Sequence, residues 1–326
     1  MTERFEYLEI EGRPRRLGKR QPVPVEAPIA VGARARLRLK EIIGNFGHEL
    51  GQFYCPAGVA IDRVGTIYIA DSYNHRIQII TAEGDVFGLA QKGRERGCLL
   101  NPRGIVVDAT LHIYVVEQGN HRVQKFNQQG KSVMMIGGYG RSPGRFICPT
   151  GLAIDIYHNI YVADTGNSRI QSFTATGEYR FSVTGRARGS AVSIEGLRRP
   201  RGVAADKECN IYVADTMNDR VAKFDPSGKV MAVFGKQGLA AGCFSQPAAL
   251  AVDAAGFVYV VEMGGNRLQR LSGAGSPAQV FTGKRTEAGR LSSPEALCLD
   301  GQASVYLADT SNNRILRLTV DRSAIR

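Results

Sequence analysis

One short signature recurs six times along this chain, as IYIADSYNHRIQ (67–78), IYVVEQGNHRVQ (113–124), IYVADTGNSRIQ (160–171), IYVADTMNDRVA (211–222), VYVVEMGGNRLQ (258–269) and VYLADTSNNRIL (305–316). The arginines Arg76, Arg122, Arg169, Arg220, Arg267 and Arg314 set a period of 46 to 51 residues. A fixed period in this range marks a repeat architecture, in which each unit buries its apolar face against its neighbours. Residues that recur in every copy therefore read as frame, and residues that break the pattern as candidates for function.

Each copy has the same internal order. A Pro-x-Gly or Pro-x-Ala lead-in opens a small apolar strand that ends in Asp62, Asp108, Asp155, Asp206, Asp253 or Asp300. A Tyr-centred strand follows, carrying Tyr68, Tyr114, Tyr161, Tyr212, Tyr259 or Tyr306, and it ends on a carboxylate. A four-residue polar turn then leads into a third strand that starts at the repeated Arg, and a Gly-containing turn leads into a fourth, such as SVMMIG or VMAVFG. Period-two alternation, β-branched residues and regular turn signals specify antiparallel strands. Four strands in each of six repeats predict an all-β chain folded as a six-bladed β-propeller around a central channel.

Closure is also predicted. After Arg314 only a third strand remains, while RLKEIIGNFG (38–47) resembles KVMAVFGKQG (229–238). Residues 37–43 are thus expected to complete blade 6, which hides two sheet edges. The propeller is assigned to 37–320, with 321–326 as a C-terminal tail. Residues 1–36, with Pro14, Pro22, Pro24 and Pro28 among many charges, are assigned to a basic, disordered tail.

Net charge is +12, and residues 1–40 hold ten Lys/Arg against five Glu, so most of the excess lies on the repeats. That balance points to an anionic partner without naming it. No stretch approaches the ~20 apolar residues of a membrane helix, and the N-terminus lacks the apolar core of a signal peptide. A cytoplasmic location with no membrane contact is the expectation, and a monomer. Cys55, Cys98, Cys148, Cys209, Cys243 and Cys298 lie far apart with no CxxC, which fits free thiols better than a zinc site.

These copies resemble NHL repeats, on the triplets Asn74-His75-Arg76 and Asn120-His121-Arg122 and on residues 149–171, which follow the family's P-x-G-[IVL]-A-[IV]-D … Y-V-A-D-T-G-N-x-R-I-Q pattern. The resemblance implies a six-bladed propeller. Members of that family serve as protein-interaction or RNA-binding heads, as sensor heads of kinases and in places as enzymes. RING, B-box, kinase and coiled-coil patterns do not occur in this chain, so a ubiquitin-ligase reading does not transfer.

Symmetry separates frame from site. The pairs Asp71/Arg76, Glu117/Arg122, Asp164/Arg169, Asp215/Arg220, Glu262/Arg267 and Asp309/Arg314 bracket the turn in every blade and are assigned a structural role. By contrast, the middle residues of the lead-ins differ: Ala57, Arg103, Thr150, Arg201, Ala248 and Glu295. Arg103 and Arg201 are expected to flank the channel mouth with Thr150 between them, and Glu295 to lie elsewhere on the rim. Arg94, Arg96, Arg141, Arg145, Arg186, Arg188, Arg198 and Arg199 extend this into a predicted basic crescent, opposed by Glu95 and Glu195. Tyr73, His75, His121 and Met217 in the turns add stacking and hydrogen-bonding groups. A protein-binding platform is the first reading, and single-stranded RNA or another polyanion on the crescent the second. A metal-dependent, lactonase-like hydrolase ranks third, because the first strands offer no set of carboxylates or histidines toward the channel. No catalytic residue, metal or cofactor is assigned.

Overall fold

The computed structural model describes residues 15–16, 36–185 and 195–321. Six sheets follow the period of the sequence. Blade 1 contains Pro56–Ile61 (β3), Ile67–Asp71 (β4), Arg76–Ile80 (β5) and Asp85–Leu89 (β6). Blade 2 runs through Pro102–Val107, Ile113–Glu117, Arg122–Phe126 and Ser132–Gly137 (β7–β10), and blade 3 through Leu152–Ile154, Ile160–Asp164, Arg169–Phe173 and Tyr179–Val183 (β11–β14). Blade 4 is Gly202–Ala205, Ile211–Asp215, Arg220–Phe224 and Val230–Phe234 (β15–β18). Blade 5 is Pro247–Val252, Val258–Glu262, Arg267–Leu271 and Pro277–Phe281 (β19–β22). Blade 6 holds Ala296–Leu299, Ser304–Asp309 and Arg314–Asp321 (β23–β25), and its outer strand is Arg36–Ile43 (β2), from the start of the propeller.

That last pairing closes the ring, as the sequence predicts. Leu37 stands opposite Val320 and Ile43 opposite Ile315, with a bulge between Leu39 and Glu41. Of the segment read as a tail, Arg15–Arg16 form a short strand (β1) on the outer edge of blade 1, opposite Val86 and Asp85. The remainder, 1–14 and 17–35, and residues 322–326 lie outside the described residues.

The core sits between blades. Tyr68, Ala70, Ile77 and Ile79 of blade 1 pack against Ile105, Ile113 and Val115 of blade 2, and the same contact recurs around the ring. All five residues of each second strand from β4 to β20 are buried, which explains their uninterrupted apolar character. Each fully buried Ile or Val contributes about 1.5–3 kcal/mol. Close approach of the inner strands depends on the lead-in glycine. A Cβ on Gly104 would lie 2.7 Å from the Thr150 carbonyl oxygen, and one on Gly202 2.7 Å from that of Ala248. Blades 5 and 6 carry Ala249 and Ala296 at this position, so the packing rule of the ring changes there.

Candidate functional site

Two hydrogen-bond rings build the upper face, the one that carries the lead-in loops and the turns between second and third strands. In the first ring, each second strand ends in a buried carboxylate that is saturated by donors. Asp71 Oδ1 accepts the Tyr54 N–H at 2.8 Å, and its Oδ2 accepts Asn74 Nδ2, Arg76 Nε and Gln78 Nε2, each at 2.9 Å. Asp164 repeats this with Ile147 N–H, Asn167, Arg169 and Gln171 at 2.7–3.0 Å. Glu117, Asp215, Glu262 and Asp309 pair with Arg122, Arg220, Arg267 and Arg314 at 2.5–2.8 Å. All six carboxylates have no exposed surface. Burial raises the Glu262 carboxyl above its ordinary value even with Arg267 beside it.

The second ring joins blade to blade. His75 Nδ1 accepts the Asn101 N–H at 3.1 Å and His121 Nδ1 accepts the Cys148 N–H at 3.0 Å. Ser168, Asp219, Asn266 and Asn313 hold the same position and accept from Arg199, Gln246, Ser293 and Cys55. Every acceptor and every donor residue in this ring has left-handed backbone, with φ between 43 and 56°. The two histidines, read from sequence as ligand contacts, therefore act as neutral acceptors in the frame. Burial lowers both of their pKa values, as that role requires.

The channel mouth breaks the six-fold pattern. Arg103, Arg201 and Glu295 come from blades 2, 4 and 6, alternate positions around the ring, and they meet over the channel. Arg103 Nη1 donates to Glu295 Oε2 at 2.5 Å, and Arg201 Nη2 donates to the same oxygen at 2.6 Å. Glu295 thus lies between the two arginines rather than elsewhere on the rim, because alternate blades point at a common axis. Thr150 is buried and positions Arg201: its Oγ1 donates to the Arg201 carbonyl at 2.8 Å and is bonded to Thr165 Oγ1 at 2.7 Å. Burial lowers the Arg201 pKa, and the charge of Arg103 adds to this against the opposing pull of Glu295.

Beside this cluster a depression of about 520 Å³ opens over blades 5, 6 and 1. One wall is the Arg103–Glu295 pair; Tyr73 and Met263 give it apolar surface, and Gln246, Asn266 and Ser311 neutral polar surface. Tyr73 is 45 % exposed and continues into an edge-to-face series with Tyr54 and Phe46, at 5.0 and 5.4 Å between ring centroids. The channel beneath the mouth holds only about 70 Å³.

The other arginines assigned to the crescent do not join the mouth cluster. Arg96 turns down the flank of blade 2, where its Nε donates to the Ser132 carbonyl at the far end of the outer strand. Arg145 donates to the Gly137 carbonyl at 2.9 Å. Arg94, Arg141, Arg198 and Arg199 are exposed on the loops, and neither they nor Arg96 and Arg145 line the channel or the depression. Arg186 and Arg188 lie outside the described residues.

Sequence reasoning missed Gln118 and Met263. In four blades the residue after the strand-ending carboxylate is Ser72, Thr165, Thr216 or Thr310, whose hydroxyl donates to the lead-in proline carbonyl of the next blade. Blades 2 and 5 place Gln118 and Met263 there. Gln118 Oε1 instead accepts from Arg103 Nε at 3.3 Å, and Met263 lines the depression. Loss of the hydroxyl at this one position was the available signal.

The profile of the NHL repeat matches residues 53–80, 99–126 and 146–173. A stretch of 57 residues is 40% identical to the B-box type zinc finger protein ncl-1 of Caenorhabditis elegans, covering 16% of this chain and 7% of that protein. Among solved structures, a protein of unknown function from Bacteroides thetaiotaomicron superposes with TM-score 0.66 at 19% identity, over 88% of this chain and 76% of that one. A gluconolactonase from Xanthomonas campestris gives 0.65 at 15% identity, over 94% and 100% of the two chains. Virginiamycin B lyase from Staphylococcus aureus gives 0.60 at 15% identity, over 87% and 100%. At these identities the structural likeness is one of fold.

Proposed function

The chain is an NHL-repeat six-bladed β-propeller, and from that premise we propose that it is a non-enzymatic platform that binds a protein partner through its upper face. The observation that carries this reading is the mouth cluster, where two guanidinium groups share one carboxylate oxygen beside a depression of about 520 Å³. A channel of about 70 Å³ is small beside the depression of about 520 Å³, so this reading places the contact on the rim. The carboxylates and histidines of the turns are occupied in the frame, which favours recognition over chemistry. Rigid β-structure with varied loops supplies a surface for such recognition.

A photo-crosslinking residue at Tyr73, compared with one at Tyr157 on the opposite face, tests the reading; Tyr157 is 71 % exposed and serves as the control. One dominant protein adduct from position 73 and none from 157 is expected. Adducts from position 157 alone would overturn the choice of face.

A second reading, single-stranded RNA, is favoured by the exposed rings of Phe46, Tyr73 and Tyr139 among loop arginines. Binding of decauridylate that falls steeply with salt would support it. Salt-independent or undetectable binding would remove it.

A further inference from the structure

The mouth cluster is charge-incomplete. In the turns each carboxylate has one arginine, whereas at the mouth Arg103 and Arg201 share the single Glu295. Their side chains are only 14% and 22% exposed, so water screens the surplus positive charge poorly. Arg103 spends Nη1 on Glu295 and Nε on Gln118, and Arg201 spends Nη2 on Glu295. Arg103 Nη2 and Arg201 Nε and Nη1 have no hydrogen-bond partner among the described residues. Guanidinium forks of this kind match carboxylate geometry, and Glu295 already shows a carboxylate oxygen seated between them.

Resting on the platform reading, we propose that the mouth recognises a carboxylate side chain of an extended acidic segment in the partner. The incoming group completes a set of two arginines and two carboxylates with Glu295. Residues flanking the acidic side chain lie in the depression, against Tyr73 and Met263, and their backbone groups meet Gln246, Asn266 and Ser311. A depression of about 520 Å³ falls in the range of ~300–1,000 Å³ that holds compact ligands. A carboxylate fits better than a nucleic acid here, because the walls of the depression beyond the Arg103–Glu295 pair are neutral and only Tyr73 offers a stacking ring.

The test uses the full chain and two immobilised peptide pools, X-X-Glu-X-X and X-X-Gln-X-X, both acetylated and amidated at their ends so that the central side chain alone differs. The glutamate pool is expected to bind at least tenfold more tightly. Arg103→Ala and Arg201→Ala should each abolish that preference. Glu295→Gln should strengthen it, because an internal competitor for the same donors loses its charge; a purely structural Glu295 would give the opposite sign. Melting curves check folding, and Arg103→Lys provides a charged variant in which the preference falls but persists. Equal binding of the two pools, or weaker glutamate binding by Glu295→Gln, would overturn the proposal. So would a decauridylate that binds more tightly than the glutamate pool and is lost in the same arginine variants. If the pools fail to discriminate while crosslinks from position 73 persist, carboxylate recognition falls and the platform remains.

Discussion

Arginine–carboxylate chemistry occurs in two regions of this propeller with opposite bookkeeping. In the turns, six carboxylates are fully buried and each takes three to five hydrogen bonds, at least one of them from its own arginine. At the mouth two arginines depend on one oxygen of Glu295, which keeps 16% of its side-chain surface exposed. The first arrangement leaves nothing for a ligand. The second leaves charge and donors unspent at the one place where six blades converge. The same residue types therefore build a frame when saturated and a recognition site when not.

Removing the closing strand should have the largest effect. Deleting residues 1–44 takes away β2 and its contacts with β25, with Leu37 and Ile43 among the buried side chains. The expected result is loss of a cooperative melt, a change comparable to the ~5–15 kcal/mol that stabilises a typical domain. Deleting 1–35 should leave the melt nearly unchanged; equal damage by both deletions would mean that β2 does not close the ring.

Next is the frame itself. Asp164→Ala strands Arg169 and removes the acceptor for Asn167, Gln171 and the Ile147 N–H, so about 3–5 kcal/mol should be lost in chemical denaturation. Arg103→Ala leaves Glu295 paired with Arg201, so the expected cost is smaller, about 1–2 kcal/mol. A comparable loss at the two sites would erase the distinction drawn between them.

The smallest effect concerns pH. His75 and His121 are lowered from 6.5 by burial, so the unfolded chain binds protons that the folded chain resists. Their contribution is fully present above pH ~6.5 and is lost as pH falls through the lower folded values. Replacing both by Asn, the acceptor already used as Asn266 and Asn313, should leave stability at pH 7.5 unchanged and flatten its decline toward pH 5. An acid limb as steep as that of the parent chain would show that the histidines do not titrate with unfolding.

The fold was legible because every blade states the pattern again, and β2 was found by its likeness to another fourth strand. Frame residues were legible for the same reason. What one strand of text cannot display is which residues face each other across a closed ring: Arg103 and Glu295 are 192 positions apart. Their meeting depends on alternate blades pointing at one axis, whereas the loop arginines, nearer to Arg103 in sequence, do not line the mouth. His75 and His121 resembled ligand contacts until the equivalent Ser, Asp and Asn positions revealed a shared acceptor role. The breaks at Gln118 and Met263 were visible in the repeats, but their meaning required the hydroxyl–carbonyl bond that they omit.

Small-anion rescue tests the contrast between frame and mouth most directly. Glu295→Ala leaves two arginines without their carboxylate at a partly exposed site, whereas Asp164→Ala opens a gap with no exposed surface. Melting temperatures of both variants are compared in sodium acetate and in sodium chloride at equal ionic strength. Acetate should restore several degrees to Glu295→Ala and none to Asp164→Ala. Equal melting of Glu295→Ala in the two salts would contradict the claim that the mouth is an anion site whose charge the fold leaves incomplete.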